Sequence, residues 1–589
     1  MRGYLVPGTV LLVAATAVTG LVYVGFRQPV GSRPAAEPRV KLAVLVVFDQ
    51  LRGDFLRRWK PLFGRDGFAR LQSEGAWFTH CHYPYGTTNT GPGHASMLTG
   101  TCPDRHGIIS NNWFERGGVV YCAGSDRYEL VPPSPGPRTR GRPKEVGTPD
   151  RLTAETVADV LKASHPAAKV FGLSLKDRSA ILPTGKRPDG VYWFTGRFVT
   201  STYYTDRVHP WVEQFNASGL ADRWYGQDWT RLRADVNYDE YAGPDSAAGE
   251  GSGVSVREGA AKGWSQGVAF PHPMNPPATP GVSKPGPEYY EALANSPFGN
   301  DLLLEFTKAC VTAERLGQRD VPDLLVVSFS SNDLVGHTWG PDSHEVLDIT
   351  LRSDALMADF LAFLDETVGR GRYLIALTAD HGVCPLVEVS QAKGIDARRI
   401  DIRELQKELE GHLSQRFASP GGEDGRRSSW VEAFGDPGTF PWVYFNPKAL
   451  AAAGTTPEEV AKVAVAFLAR HPAVARAYTR ADLAHPQDPP KDVIDERVRR
   501  SYHPERAGHV YVVLKEYYLP SKPTDTGTTH GAPYDYDTHV PLIVYGPGVA
   551  GGAKDEPVTP QAAAAILARW LGLRPPDRAE FPVPATLTP

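Results

Sequence analysis

The sequence predicts an α/β protein with a doubly wound, mostly parallel central sheet that is flanked by helices and carries insertions over one edge. Short, nearly continuous apolar runs alternate with segments of helical periodicity, and buried parallel strands are typical of such runs. Polar residues such as Asp49 and Lys176 follow these runs. Because ligands bind at the carboxyl ends of strands in doubly wound sheets, these polar residues are expected to meet in one site.

The individual elements follow from the local pattern. Strands are expected at residues 40–48, which are rich in Val and Leu, and at residues 76–83, 170–175, 324–329, 373–378 and 540–545. Helices are expected at residues 52–73, where Phe55, Leu62 and Leu71 recur at helical spacing, and at residues 152–164, 301–316, 346–368, 403–417, 457–470 and 560–571. Asp150 and Thr153 are the candidate N-caps of the second helix.

The length and composition exclude some classes of protein. At 589 residues the chain is too long for one ordinary core, so a large domain with sizeable insertions, or a second domain, is expected. A net charge of −4 does not indicate the basic surface that binds nucleic acid, and no nucleic-acid partner is expected. The 58 glycines and 52 prolines favour many loops on a scaffold.

The first residues predict export. Residues 4–26 carry no charge and lie between Arg2 and Arg27, ahead of a Pro-rich segment. They can form a signal peptide that is cleaved after the Ala-x-Ala site at residues 15–17, or a signal anchor that tethers the protein to a membrane. Both alternatives stay open, and both place the rest of the chain in the periplasm or outside the cell.

The changes in composition suggest a division into domains. Residues 1–38 are the leader and linker. Residues 39–189, 296–393 and 521–589 are expected to form the core, with residues 190–295 as a cap insertion over the active site and residues 394–520 as a second insertion. Residues 190–295 contain recurrent Trp and Tyr with Gly, Ser and Pro, and lack periodicity.

The stretch at residues 85–100 contains Thr90, whose hydroxyl is the main candidate for a reactive group. A glycine-rich turn in this stretch leads into an apolar segment that can begin a helix near Pro92, since proline suits a first helical turn. The hydroxyl of Thr90 would then lie at the positive end of a helix, where backbone N–H groups favour an alkoxide or a phosphate. The alternative is that Thr90 only caps the helix.

Several polar clusters contain carboxylates and imidazoles, the oxygen and nitrogen ligands of catalytic zinc sites. Each cluster is unremarkable alone, but together they lie at strand ends or in glycine-bounded loops. The six side chains are Asp49, Asp333, His337, Asp380, His381 and His530.

The chain resembles the alkaline phosphatase superfamily, and within it the phosphate-irrepressible alkaline phosphatases and the nucleotide pyrophosphatase/phosphodiesterases. The matching segments run in family order from residue 40 to about residue 550. They include Thr90-Gly-Pro-Gly-His94, Asn332-Asp-Leu-Val-Gly-His337, Thr378-Ala-Asp-His-Gly382 and Gly527-Thr-Thr-His-Gly531.

The resemblance implies two Zn²⁺ ions. Asp333, His337 and His530 would hold one ion. The other would be held by Asp49, Asp380, His381 and the oxygen of Thr90. The resemblance also implies that Thr90 attacks phosphorus to form a phosphothreonine, a step that two metal ions can promote.

Three further side chains are expected to bind the phosphoryl oxygens. The resemblance places Asn111 there. Lys176 and Arg178 lie two apart beyond a strand, so continued extended geometry would direct both to one face. Diesterases of the superfamily lack this Lys-x-Arg pair, and cations favour the extra charge of a monoester. The sequence therefore predicts an alkaline phosphatase that hydrolyses small phosphate monoesters. A phosphodiesterase or nucleotide pyrophosphatase, and an inactive membrane-tethered binding protein, are the alternatives.

The five cysteines are too few for a dense disulfide framework, and an odd number leaves one thiol free. Cys81, Cys102 and Cys122 are close enough in sequence for one bridge. His94, His106, His344 and His539 adjoin the motifs and are expected to pack in the core or to contact the ligands, and not to bind the metal ions themselves. The oligomeric state and physiological substrate stay open.

Overall fold

The computed structural model describes residues 40–133, 146–258, 262–277, 285–417, 429–435, 438–485 and 489–588. The leader at residues 1–38, including the apolar segment at 4–26, lies outside the described residues. Within the described ranges, no helix is both long and apolar enough to cross a membrane.

A ten-stranded sheet forms the centre of the fold and confirms the predicted α/β class. Its five middle strands are mutually parallel, and antiparallel pairs occur on both sides of them. The order across the sheet is Gly552–Lys554, Ala76–Phe78, Leu542–Tyr545, Tyr373–Thr378, Leu42–Phe48, Asp323–Phe329, Val170–Ser174, Gly190–Phe194, Phe198–Ser201 and Leu130–Val131.

The strand Leu42–Phe48 lies in the middle of this sheet, between Asp323–Phe329 and Tyr373–Thr378. All seven of its residues are apolar and buried. A strand covered on both faces cannot alternate between apolar and polar residues, which explains its continuous run of Leu, Val, Ala and Phe.

Helices cover the sheet. Pro297–Glu314 and His344–Leu364 contact each other, and Ala562–Trp570 contacts the strands Leu42–Phe48 and Tyr373–Thr378. The other α-helices are Phe55–Arg58, Phe68–Glu74, Thr90–Thr99, Pro103–His106, Val157–Ser164, Asp177–Ile181, Pro210–Ala217, Tyr238–Ala242, Pro287–Ala294, Ser331–Trp339, Val387–Ala392, Ile402–Arg416, Pro447–Ala453, Pro457–Leu468, Arg480–Ala484, Val493–Arg499 and Asp535–Thr538.

Several local predictions were wrong in their bounds. The helix expected at residues 152–164 begins only at Val157, because Thr156, and neither Asp150 nor Thr153, forms a capping box with Asp159. The helix expected at residues 52–73 is broken into short pieces, and the strand expected at residues 76–83 ends at Phe78.

The region at residues 394–520 contains a separate four-stranded sheet, in the order Val431–Ala433, Trp442–Phe445, Val510–Leu514 and Val474–Thr479. Its helices Ile402–Arg416 and Pro457–Leu468 share a hydrophobic cluster with these strands. At the start of the expected cap insertion, Gly190–Phe194 and Phe198–Ser201 belong to the central sheet. The domain division itself stays a prediction.

Smaller strand pairs complete the described structure: Asn112–Glu115 with Gly118–Tyr121, Asp228–Trp229 with His272–Pro273, and Arg398–Arg399 with Tyr518–Leu519. All five cysteines are described, and each is a buried free thiol. The bridge considered among Cys81, Cys102 and Cys122 is therefore absent from these described residues.

Candidate metal centre and nucleophile

Six acidic and imidazole side chains form two groups at the carboxyl edge of the central sheet. Asp333, His337 and His530 form the first triad, and Asp49, Asp380 and His381 form the second triad. Within each triad, one candidate ligand atom per residue lies within 4.8 Å of the others. The membership is the same as that implied by the resemblance, although the role of these residues as ligands stays a prediction.

The first triad combines a helix with a loop. Asp333 and His337 lie four residues apart on the helix Ser331–Trp339, so their side chains share one face. Asp333 Oδ1 lies 3.2 Å from His337 Nε2 and 3.5 Å from His530 Nε2.

Both histidines of the first triad are oriented by backbone carbonyls. Nδ1 of His337 lies 2.7 Å from the carbonyl oxygen of Thr528, and Nδ1 of His530 lies 2.8 Å from that of Thr88. A carbonyl only accepts hydrogen bonds, so each Nδ1 is the donor. Nε2 is then the ring nitrogen that faces Asp333 in each histidine, and it is the atom available to a metal ion.

The second triad is completely buried. His381 Nε2 lies 3.3 Å from Asp380 Oδ2 and 3.6 Å from Asp49 Oδ1, while His381 Nδ1 faces the carbonyl oxygen of Gly382 at 2.9 Å. The rings of His381 and His530 stack with centroids 3.5 Å apart, so the two triads adjoin.

The side chains fit a pair of cations. Asp49 Oδ1 and Asp380 Oδ2 are buried and have no hydrogen-bond partner among the described residues. Burial, together with the nearby carboxylates of Asp333 and Asp380, raises the pKa of Asp49 well above its ordinary value. Burial lowers the pKa of His381 to about 3, so its imidazole is neutral at pH 7. Carboxylate oxygens without partners beside a neutral imidazole form a donor set suited to zinc.

A third group of possible ligands has a different character. Cys102, Asp104 and Glu580 lie close together, but Arg500 Nη1 is 3.9 Å from both Cys102 Sγ and Glu580 Oε1. Burial raises the pKa of the Cys102 thiol well above its ordinary value, and the group contains no imidazole, so the first two triads are the better candidate metal centre.

Thr90 lies directly beside the second triad. It is the first residue of the helix Thr90–Thr99, after Asn89 in extended conformation. The hydroxyl oxygen of Thr90 is 3.4 Å from His381 Nε2, and its side chain is almost fully buried. The position at a helix N-terminus is favourable for negative charge on this oxygen.

Lys176 and Arg178 both reach the site, but by a geometry that differs from the prediction. The extended backbone ends at Lys176, and the helix Asp177–Ile181 begins immediately after it. Lys176 Nζ lies 2.7 Å from Asp49 Oδ2 and also bonds Asp333, so it joins the two triads.

Arg178 lies on the same side of the site as Thr90. Its Nη2 lies 3.5 Å from Thr90 Oγ1, and its buried Nε has no partner among the described residues. Tyr121 holds the other arm: its hydroxyl accepts from Arg178 Nη1 at 3.2 Å and donates to Asp177 Oδ1 at 2.5 Å. The unpaired Nε–H can therefore donate to a ligand.

Asn111 lies on the same side as Thr90. Its Oδ1 accepts a hydrogen bond from the backbone N–H of Gly91 at 2.7 Å, which fixes the side chain next to the start of the helix. Its amide N–H₂ can then donate to a phosphoryl oxygen.

Several contacts around the site were not predicted or were predicted only in part. His94 Nδ1 lies 3.2 Å from Asp380 Oδ2, an outer contact as expected. His106, His344 and His539 contact Ser96, the carbonyl of Gly243 and the carbonyl of Thr79, and none of them belongs to either triad. Tyr121 and Gln50 were missed, because no sequence pattern marks a residue that acts through a distant side chain.

A cleft of about 420 Å³ opens beside the first triad. His337, His530 and Asn111 line one side of it, and Arg403 and Phe440 from the region at residues 394–520 line the other.

Comparison with known proteins identifies the family. The model of the type I phosphodiesterase/nucleotide pyrophosphatase family matches residues 43–533. The chain belongs to this family, which confirms the resemblance to the alkaline phosphatase superfamily.

Individual relatives are similar over nearly their full lengths. The chain is 32% identical to the alkaline phosphatase PafA of Elizabethkingia meningoseptica, over 89% of this chain and 90% of PafA. It is also 32% identical to the alkaline phosphatase PhoV of Synechococcus elongatus, over 88% of each chain. The crystal structure of wild-type PafA superimposes with a TM-score of 0.80 at 31% identity, over 93% of this chain and 98% of that one.

Proposed function

We propose that this protein is an exported alkaline phosphatase, a two-zinc enzyme that hydrolyses small phosphate monoesters through a phosphothreonine at Thr90. The single observation that carries the proposal is the position of Thr90 Oγ1, between His381 of the second triad and the guanidinium of Arg178. A buried hydroxyl between a cation site and an arginine is suited to attack on a phosphoryl group.

Each residue has a distinct role in the proposed reaction. Asp333, His337 and His530 hold one Zn²⁺, and Asp49, Asp380 and His381 hold the other, with Thr90 Oγ1 as a further ligand. When bound, the two ions would lower the pKa of the threonine hydroxyl and stabilise the leaving oxygen.

The chain itself orients the phosphoryl group. Arg178 offers its Nε–H and the Nη2 arm, and Asn111 offers its amide N–H₂, to the non-bridging oxygens. Lys176 adds a positive charge between the triads. These cations favour a monoester dianion over a diester monoanion.

Two displacements complete the reaction. Thr90 Oγ1 loses its proton to water and forms a bond to phosphorus as the bond to the leaving alcohol breaks, and the alcohol oxygen takes up a proton from water. Water then attacks the phosphothreonine, which releases inorganic phosphate and restores the hydroxyl. The leaving alcohol lies in the 420 Å³ cleft.

The same family includes diesterases by name, so a phosphodiesterase is the second candidate function. The comparison of p-nitrophenyl phosphate with bis-p-nitrophenyl phosphate separates the two. We expect the monoester to be hydrolysed much faster, whereas faster hydrolysis of the diester would remove the proposed role of Lys176 and Arg178.

A Thr90→Ala variant tests the nucleophile and the third alternative, an inactive binding protein. Loss of nearly all monoesterase activity with zinc content retained is expected. Full activity in this variant would exclude Thr90 from the mechanism, and a wild type without activity would favour the binding protein.

Export rests on the uncharged segment at residues 4–26, and membrane tethering is the alternative to cleavage. Mass spectrometry of the mature N-terminus distinguishes a cleaved leader from a retained anchor.

A further inference from the structure

Gln50 has a backbone conformation that is unusual for its residue type. It directly follows Asp49 of the second triad, and its φ of 69° lies in the left-handed region. A residue with a Cβ rarely adopts this region, and such residues are concentrated at functional sites, where the surrounding structure holds them in place.

This conformation brings two donors of Gln50 to two different carboxylates. The backbone N–H donates to Asp380 Oδ1 at 3.1 Å, and the side-chain Nε2 donates to Asp333 Oδ1 at 2.7 Å. Asp380 belongs to the second triad and Asp333 to the first. Gln50 is itself buried, with 3% of its surface exposed, so water cannot replace these bonds easily.

The space for the Gln50 amide is provided by a glycine. Gly336 lies between Asp333 and His337 on the same helix, and a Cβ at Gly336 would come within 1.8 Å of Gln50 Oε1. The side chain therefore lies tightly against the helix that carries two ligands of the first triad.

We propose that Gln50 is a positioning residue that fixes the carboxylates of both triads relative to each other. This inference rests on the proposed two-zinc function. The side chain of Gln50 bonds only the first triad, through Asp333, and the backbone N–H of Gln50 bonds only the second triad, through Asp380. The two contributions can therefore be separated by substitution.

The test is a Gln50→Gly variant of the full chain, with zinc affinity measured by titration against a competing chelator. Glycine keeps the backbone N–H and accepts the left-handed φ, but it lacks the amide that bonds Asp333. Residues that orient metal ligands contribute about 10- to 100-fold to metal affinity. We therefore expect the zinc ion of the first triad to bind that much more weakly and the zinc ion of the second triad to keep its affinity.

Two further variants define the result. Gln50→Asn tolerates the left-handed φ but is one methylene shorter, so it should show the same selective loss. Arg315→Gly is the matched control, since Arg315 also has a left-handed φ of 55° but is exposed at the end of the helix Pro297–Glu314, away from both triads. It should leave both zinc affinities unchanged.

The possible outcomes are distinct. Unchanged affinity for both ions in Gln50→Gly, or an equal loss of both, would overturn the inference while leaving the two-zinc enzyme intact. A wild type that binds fewer than two zinc ions would overturn the proposed function and this inference together. A selective loss in Gln50→Gly and Gln50→Asn, with no change in Arg315→Gly, supports the inference.

Discussion

Arg178 Nη2 lies 3.5 Å from Thr90 Oγ1, and the opposite arm of the guanidinium is held by the hydroxyl of Tyr121. A planar guanidinium fixed at one end presents its remaining N–H groups in a constant direction. The proposed nucleophile and the group proposed to bind the phosphoryl oxygens are therefore held next to each other by the fold itself.

Replacing this guanidinium should affect the monoester reaction most. Removal of one such donor typically lowers kcat by about 100- to 1,000-fold, and we expect a loss of that size in kcat/KM for p-nitrophenyl phosphate with Arg178→Ala. Because a diester carries less negative charge, its kcat/KM should fall less than that of the monoester. Steady-state kinetics on both esters measure the difference. Arg187→Ala, an exposed position nearby in sequence, is the control, and equal losses on the two esters would contradict the assignment.

Gly93→Ala should lower activity because it displaces the backbone of the helix that carries Thr90. A Cβ at Gly93 would lie 2.4 Å from the carbonyl oxygen of Asp380, so the helix that carries Thr90 must move away from the second triad. Displacements of about 1 Å in active sites can lower rates 100-fold, and we expect a loss of at least about 10-fold in kcat.

Gly411→Ala is the matched control for Gly93→Ala. Gly411 also lies in a helix, but a Cβ there would meet no atom within 4 Å, so this variant should keep full activity and gain about 0.5–1 kcal/mol in free energy of unfolding. Full activity in Gly93→Ala would show that the close approach to Asp380 is not required.

Metal removal should destabilise the fold. The buried carboxylates of Asp49, Asp333 and Asp380 lie close together, and Lys176 is the cation that bonds two of them. Ligands that bind only the folded state at 100 times their Kd contribute about 2.7 kcal/mol, so EDTA should lower the Tm by a few degrees, measured by calorimetry. Added zinc should restore it. A Tm that changes with neither EDTA nor zinc would contradict the presence of a bound metal ion.

Much of the fold could be predicted from the sequence because the central strands are buried on both faces. The run at residues 42–48 has no polar position, so its type and place were unambiguous. The six side chains of the triads could be picked out because they follow strands or lie in glycine-bounded loops, and Asp333 and His337 are four residues apart. Their division into two triads was implied by the resemblance to the alkaline phosphatase superfamily.

The remaining features depend on tertiary contacts that no local pattern encodes. Lys176 and Arg178 were expected on one face of an extended segment, but a helix begins between them and both still reach the site. Gln50 adopts a left-handed φ although its residue type disfavours it, because the bonds to Asp333 and Asp380 outweigh that preference. The cap at Thr156 was missed because Thr153 offers the same chemistry three residues earlier.

The stability of the protein should depend on pH through Glu250. Burial, with a smaller contribution from Glu345, raises the pKa of Glu250 from 4.5 to about 9. Between these values the folded chain holds a proton that the unfolded chain has lost. The free energy of unfolding therefore falls as the pH rises from about 5 to about 9.

Glu250→Gln should remove this dependence. The amide keeps an oxygen that can accept from the backbone N–H of Ala247, as Glu250 Oε2 does at 3.0 Å, but it does not ionise. We expect the variant to gain stability over wild type progressively above pH 5, measured by urea unfolding across the range. Parallel profiles for the two proteins would contradict the assignment.

Anomalous diffraction at the zinc absorption edge, from crystals of the protein with zinc and phosphate added, tests the two-metal site most directly. We expect two zinc peaks, one inside each triad, with Thr90 Oγ1 at a coordination distance of about 2 Å from the peak beside His381. A single peak, or two peaks outside the triads, would contradict it.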